Sequence, residues 1–469
     1  MELSKHNIIG RLKNRNDYFI VNLLSGQADI LEEEMGRDLA EGRCSDEAAF
    51  RERGYLVDPE EESRRFRTGY LDFIEQRERS EIQIFFVPTY ACNFACSYCY
   101  QESYIAPCSQ SGTSVGDGGG IVGSGAGTGG TGADTAGTRA GGYASSEVID
   151  AFFRYIDRKF AGKSKYLTLF GGEPLLPGSA ARRGVDLFLR HAAERNLDTA
   201  VVTNGYHLLD YLDLFTDASV REIQVTLDGP EGIHNCRRPL RSGGETFSRI
   251  VEGVDAALEA DLTVNLRVVV DRENLPSLPE LAELARSRGW TQNPRFKTQL
   301  GRNYELHTCQ SAEARKNIVS RIELWEMVDR LIAEHPVVGE FHRPAYSVAR
   351  FLADTGELPV PLYDSCPGCK TEWAFDLNGG IFSCTATVGK SDERLGGFYP
   401  EVTLDEDTVD EWESRDITEI EECGECPVRL ACGGGCGSVA KNRTGRLHTP
   451  DCRPIGELLS MGLARYFDE

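Results

Sequence analysis

The sequence predicts an α/β fold: a partial barrel of six parallel strands, preceded by a small mixed unit and followed by a cysteine-rich region. Three observations predict it. Between residues 81 and 310, short β-branched or apolar runs alternate with amphipathic stretches. Residues 1–80 carry shorter strands and helices without that rhythm. After residue 345 the rhythm stops, and cysteine and glycine accumulate.

In the first unit, Tyr18–Leu24 is apolar and β-prone, Gly26-Gln27 marks a turn, and Ala28–Leu31 returns as a second strand. Helical stretches follow near 32–41 and 45–53, then a strand at 54–58 and an acidic-to-basic helix over 60–77. The barrel strands are expected at Ile82–Val87, Tyr166–Phe170, Ala200–Thr203, Ile223–Leu227, Val264–Val270 and Arg295–Leu300. The helices between them include Glu147–Lys159, Gly184–Arg195, Phe247–Ala260 and Leu278–Arg288. Strands joined by helices form a parallel sheet with right-handed crossovers. The result is a partial (β/α)6 TIM-like barrel with its chemistry at the C-terminal ends of the strands.

Ser109–Gly142 holds 14 glycines among 34 residues. Such a segment buries too little apolar surface to offset its ordering entropy, so a flexible insertion is expected, inert rather than gating. Residues 311–345 read as a helical linker and 346–469 as a domain whose fold depends on bound metal.

Charge and composition exclude several classes. The chain has 51 Lys+Arg against 74 Asp+Glu, a net charge of −23, which argues against a nucleic-acid-binding surface. No apolar run reaches the ~18 residues a membrane span needs, and the N-terminal residues form neither a signal nor a transit peptide. A cytoplasmic protein is expected, with no membrane contact. In a reducing compartment the 15 cysteines, odd in number and grouped at short spacings, read as metal ligands rather than disulfides.

The first group follows the first barrel strand: Cys92-x3-Cys96-x2-Cys99, with Tyr98 just before the third cysteine. Three thiolates on one loop hold three irons of a cubane and leave the fourth open to a chelating ligand. The second strand ends in Phe170-Gly171-Gly172-Glu173-Pro174, where glycines permit close backbone approach and a carboxylate can accept charge-assisted hydrogen bonds. A structural zinc loop would use the same three cysteines but gives no reason for that turn.

Together these residues resemble the signature of the radical S-adenosylmethionine (radical SAM) superfamily. The resemblance implies one [4Fe–4S] cluster on Cys92, Cys96 and Cys99, with S-adenosylmethionine on its open iron. It assigns the methionine amino group to Gly171, Gly172 and Glu173. Tyr98 is the aromatic residue of the signature and an expected cofactor contact. Ribose contacts are implied for Thr226 and Asp228 on the fourth strand, and Asn204 at the end of the third is a further candidate. Arg267 on the fifth strand is the candidate partner of the methionine carboxylate. Ordinary turn chemistry or a surface ion pair is the competing account of Asn204, Thr226, Asp228 and Arg267. The superfamily also implies an electron donor such as flavodoxin or ferredoxin.

The C-terminal cysteines run Cys366-x2-Cys369, Gly379-x4-Cys384, Cys423-x2-Cys426-x5-Cys432-x3-Cys436 and Cys452. This pattern resembles the SPASM domain of radical SAM enzymes that act on peptides and proteins. By that resemblance, Cys366, Cys369, Cys384 and Cys436 hold a nearer auxiliary [4Fe–4S] cluster. Cys423, Cys426, Cys432 and Cys452 hold an outer one, which makes three clusters in all. If only one of Cys366 and Cys369 binds, the nearer cluster keeps an open iron. Two zinc sites would use the same thiolates. Cys44, Cys108, Cys236 and Cys309 are left over, and buried free thiols are expected there.

Residues 1–80 are similar to the winged-helix leader-recognition domains that open many peptide-maturing enzymes. The implied function is a peptide maturase that abstracts a hydrogen from a ribosomally made precursor peptide and installs a crosslink, with a thioether the leading expectation. Two alternatives stand beside it. One is a sulfatase-maturating activity that oxidises Cys or Ser to formylglycine. There the family commonly places an aspartate after the cysteine aligned with Cys384, whereas this chain has Thr385, which cannot accept a proton at neutral pH. The other is a non-catalytic iron–sulfur or zinc protein.

Overall fold

A computed structural model of the chain describes residues 1–13, 15–44, 46–101, 142–302 and 316–467. Apart from Gly142, the glycine-rich insertion lies outside the described residues, as do Cys108 and Cys309.

The N-terminal unit contains β1 (Glu2–Leu3), β2 (Ile8–Arg11), β3 (Tyr18–Asn22), β4 (Gln27–Leu31) and β5 (Leu56–Val57). Strands β2, β3 and β4 form an antiparallel sheet, and β1 pairs with β5. Strands β1 and β2 escaped the sequence pattern because each is a few residues long and flanked by polar side chains. A long helix, Pro59–Arg79, then leads to the barrel. It starts where Asp58 accepts from the backbone of Glu60 and Glu61, with proline at its first position, a start signal that costs the helix no backbone donor.

The barrel strands are β6 (Ile82–Val87), β7 (Lys165–Leu169), β8 (Thr199–Thr203), β9 (Val220–Thr226), β10 (Val264–Val270) and β11 (Phe296–Arg302). They pair in chain order, all parallel. Along β10 the pleat buries Val264, Leu266, Val268 and Val270 against the helices, while Asn265, Arg267 and Val269 alternate onto the other face. The helix Ser146–Lys159 is capped by Ser145, whose Oγ accepts from Val148 N, and packs Phe152, Phe153 and Ile156 into the same core.

Three expectations need correction. The C-terminal region is not irregular: β12 (Glu372–Asp376) pairs parallel with β6, and β13 (Gly380–Phe382), β14 (Gly396–Gly397) and β15 (Thr403–Leu404) continue antiparallel into one ten-stranded sheet. Strand β12 buries Trp373, Ala374 and Phe375, an apolar run that the surrounding cysteines and glycines masked, followed by the buried Asp376. Nor is the N-terminal unit separate. Ile8, Leu12, Phe19 and Val21 share a core with Ile455, Leu458, Leu459 and Met461 of the helix Ile455–Tyr466. The helices expected as a linker belong to the barrel core through Leu324, Val328, Val337, Val338 and Phe341.

Candidate functional site

At the C-terminal ends of β6–β11 lies a cleft lined by Cys92, Cys96, Tyr98, Cys99, Gly171, Gly172, Asn204, Thr226, Arg238 and Arg267. The cysteine loop that forms one wall is pinned from two sides. On one side the glycine turn pairs with it: Gly172 N donates to Thr89 O at 3.0 Å and Glu173 N to Ala91 O at 2.9 Å. A Cβ on Gly172 would stand 2.3 Å from Ala91 O, and Gly171 has φ +131°, so both positions demand glycine. On the other side, residues 237–241 run antiparallel to it: Ala95 N donates to Pro239 O at 2.9 Å, Ser97 N to Arg237 O at 3.1 Å and Arg241 N to Asn93 O at 2.8 Å.

The candidate residues separate into those that face the cleft and those that hold it. Thr226 and Arg267 face it from the ends of β9 and β10. Arg267 has no ion-pair or hydrogen-bond partner among the described residues, so it presents a cation to whatever fills the cleft. Asn204 faces the cleft too, and its Nδ2 donates to Asn93 Oδ1 at 2.8 Å across to the cysteine loop.

Glu173 and Asp228 hold rather than line. Glu173 is fully buried and accepts from Thr203 Oγ1 (2.7 Å), Leu175 N (2.8 Å) and Asn204 N (2.6 Å). Burial raises its carboxyl against those hydrogen bonds, which lower it. The carboxylate therefore ties the glycine turn to the end of β8, and it is the backbone of Gly171 and Gly172 that meets the cleft. Asp228 is likewise sealed in: it accepts from Tyr98 Oη and from Val269 N (2.9 Å), and Arg237 lies 3.6 Å away. In this arrangement it orients Tyr98 rather than facing the cleft.

Sequence reasoning missed Arg238, Gln101, Gln224 and Arg302, which also line the cleft. Gln224 follows from the pleat two residues before Thr226 on β9. Arg238 carried only the faint signal of two adjacent arginines at the end of the short helix Glu231–Arg237. Thr385 and Ala386 come from the C-terminal region, so a residue beside Cys384 reaches the same cleft as Cys96. Thr385 donates both N (2.7 Å) and Oγ1 (2.9 Å) to Glu372 Oε1.

The C-terminal cysteines lie in two neighbourhoods. Burial raises the thiol of Cys384, with Glu372, Cys366 and Cys436 adding to it, and that of Cys369, with Cys384 foremost among its neighbours. Burial also raises Cys423, and there the neighbours are Cys426, Cys432 and Cys452. Cys366, Cys369 and Cys384 are buried, whereas Cys452 is exposed. Among the described residues no cysteine is in a disulfide; Cys44 is half-buried, and Cys236 is exposed rather than buried as expected. Also among them, no set of three or more His, Cys, Asp or Glu side chains converges as a single metal ion requires. A cubane makes a different demand, since each thiolate binds its own iron.

Comparison with known proteins places this geometry. Residues 86–285 match the Radical SAM superfamily, and this part of the chain is a radical SAM domain. The chain is a radical SAM enzyme, which sets aside the non-catalytic alternative. It is 22% identical to the serine-type anaerobic sulfatase-maturating enzyme of Bacteroides thetaiotaomicron over 353 residues, 69% of this chain and 80% of that one. Over 130 residues it is 32% identical to the GTP 3′,8-cyclase of Nautilia profundicola, 27% of this chain and 38% of that enzyme. The fold matches native anSMEcpe with bound AdoMet and Cp18Cys peptide (TM-score 0.58, 14% identity, 83% of this chain and 99% of that one). It also matches Streptococcus suis SuiB bound to precursor peptide SuiA (TM-score 0.50, 13% identity, 96% and 98%). Among the described residues no helix is long and apolar enough to cross a membrane.

A radical SAM domain uses S-adenosylmethionine and a [4Fe–4S] cluster, and the residues here fit both. Three cysteines outside any disulfide line one cleft, the glycine turn leaves room that any Cβ would fill, and Arg267, unpaired among the described residues, offers a cation to a carboxylate.

Proposed function

We propose that the chain is a radical SAM maturase of peptides, and that it installs a thioether on a cysteine-containing precursor peptide. The observation that carries this reading is the junction at Thr385. The cysteine-rich region closes one side of the radical cleft, so a substrate side chain entering there would meet both the radical chemistry and the Cys384 neighbourhood. Support also comes from the fold shared with two proteins whose structures contain bound peptides.

Cys92, Cys96 and Cys99 would hold the radical-generating cluster, and the bound cofactors would supply a 5′-deoxyadenosyl radical that takes a hydrogen atom from a substrate carbon. The glycine-turn backbone and Arg267 would orient the methionine end of S-adenosylmethionine, and Thr226 its ribose. Asn204 and Glu173 would fix the loop that carries the thiolates. In net terms one C–H and one S–H bond are replaced by a C–S bond. The hydrogen atom leaves on 5′-deoxyadenosine, the thiol proton goes to solvent, and the remaining electron passes to an iron–sulfur acceptor. In this reading that acceptor sits on the cysteine set Cys366, Cys369, Cys384 and Cys436, with a second cluster on Cys423, Cys426, Cys432 and Cys452 towards the surface, where a flavodoxin or ferredoxin would exchange electrons. Residues 1–80 would bind the leader of the precursor.

The test is anaerobic incubation of the reconstituted enzyme with S-adenosylmethionine, dithionite and a cysteine-containing peptide encoded beside its gene, followed by mass spectrometry. A product lighter by two hydrogens that has lost its free thiol supports the thioether. A product that reacts with hydrazides marks formylglycine and overturns the thioether in favour of the sulfatase-maturating alternative.

A further inference from the structure

The segment after the helix Glu231–Arg237 does more than pin the cysteine loop, because its register selects one pair of side chains. The bonds Ala95 N to Pro239 O and Ser97 N to Arg237 O, with the bridge between Phe94 and Leu240, set Cys96 directly opposite Arg238. That position falls between hydrogen-bonded pairs, the kind of antiparallel pair in which Cα atoms approach to about 4.5 Å and side chains share a face. Proline at 239 has no N–H to donate back, which leaves the ladder one-sided there without changing the register.

Arg238 is buried, yet its guanidinium borders the cleft. Its Nη1 donates to Tyr98 Oη at 2.6 Å, and it lies over the rings of Phe94 (5.6 Å) and Tyr98 (6.0 Å). Its Nε is buried with no hydrogen-bond partner among the described residues. The acids nearby are already engaged: Asp228 holds Tyr98 and faces Arg237, while Asp271 and Glu273 pair with Arg237. A buried cation needs a counter-charge. Asp228 and the buried Glu173, which accepts from Thr203, Leu175 and Asn204, contribute part of it, and the group standing across the ladder is Cys96, which as a cluster-bound thiolate would supply the rest.

We propose that Arg238 is the charge partner of the radical-generating cluster, held against Cys96 so that its positive charge raises the cluster's reduction potential. The inference rests on the reading of Cys92, Cys96 and Cys99 as cluster ligands. A fixed cation beside an anionic cluster favours the reduced form, which carries one more negative charge. Tyr98, Asp228 and Arg237 then act as a brace that keeps the guanidinium in register.

The experiment is an EPR-monitored redox titration of the reconstituted full-length enzyme without S-adenosylmethionine. The cluster of interest is the signal missing from a Cys96→Ala variant. If that variant lacks no signal, the ligand assignment fails, and this inference fails with it. Arg238→Met is expected to keep its iron but to lower the reduced-to-oxidised ratio about tenfold at a fixed potential, about 59 mV for one electron. Arg238→Lys, which keeps the charge and loses the planar donor set, is expected to shift less. A midpoint in Arg238→Met equal to that of the wild type overturns the proposal. Loss of this cluster from both variants also overturns it, making Arg238 a residue of loop folding alone.

Discussion

The cysteines of the cleft and those of the C-terminal region are the same chemical group in opposite settings. Cys92, Cys96 and Cys99 stand half-buried on a loop whose conformation is imposed from outside, by the glycine turn, Asn204 and the 237–241 segment. Arg238, Tyr98 and the buried carboxylates of Glu173 and Asp228 stand around them. Cys366, Cys369 and Cys384 are buried: Cys366 and Cys369 belong to the core that holds Trp412 and Leu447, and Cys369, itself at φ +60°, donates its N–H to Ser383 O at 3.1 Å. The first arrangement is scaffolded before any metal arrives and keeps room for a ligand. In the second, burial raises the thiols of Cys369 and Cys384, as it raises that of Cys92 in the first, so a thiolate in either place is costly without metal.

The largest expected effect breaks the comparison at its first member. Cys96→Ala should abolish cleavage of S-adenosylmethionine while, with the two auxiliary clusters proposed above, iron falls by only roughly a third. Iron and sulfide analysis beside 5′-deoxyadenosine assay checks this, and residual full cleavage would contradict it. Next, Cys384→Ala should do the reverse. Cleavage in the cleft should persist, but the region after residue 366 should become protease-sensitive and thermal stability should fall by several kcal/mol, as loss of a structural metal does. Gly172→Ala should behave like a ligand mutation although it touches no metal, since its Cβ would collide with Ala91 O. Iron content that stays at wild-type level would show the loop to be softer than argued.

Arg267→Gln should weaken S-adenosylmethionine binding by roughly 10- to 100-fold, the worth of about 1.5–3 kcal/mol for a charge-assisted hydrogen bond. The change should appear in KM more than in kcat, and equilibrium binding to the reconstituted enzyme reads it.

The smallest effect is on stability against pH. His342 is half-buried beside Thr298 and stacks on Trp325, and desolvation with nearby Arg350 lowers its pKa to about 4. The folded state therefore stays neutral where the unfolded chain, near 6.5, takes up a proton. The contribution is fully present above about pH 6.5 and is lost as pH falls towards 4, at up to about 1.4 kcal/mol per unit. His342→Gln should flatten that stretch of the stability curve by one proton, and an unchanged slope would remove His342 from the account.

The comparison also shows what could be read in advance. The barrel was legible because its strands are runs of Val, Ile and Leu separated by helices of ordinary length, and the six expected strands fall within three residues of those observed. The cysteine spacings were legible because ligand loops are local. What was hidden is non-local. Pairing of β12 with β6 joins residues nearly three hundred positions apart, and no periodicity announces it. The inward turn of Glu173 and Asp228 depends on partners from β8, β10 and the cysteine loop, so sequence position alone suggested contact with the cleft. Arg238 gains its meaning only from register.

The most direct test of the central claim uses a neighbouring precursor peptide synthesised with deuterium on the carbon that becomes crosslinked. With the reconstituted enzyme, S-adenosylmethionine and dithionite, deuterium should appear in 5′-deoxyadenosine in step with loss of the peptide's free thiol. If 5′-deoxyadenosine forms without deuterium and the peptide returns unchanged, the cleft generates its radical for a different substrate, and the peptide-maturase account fails.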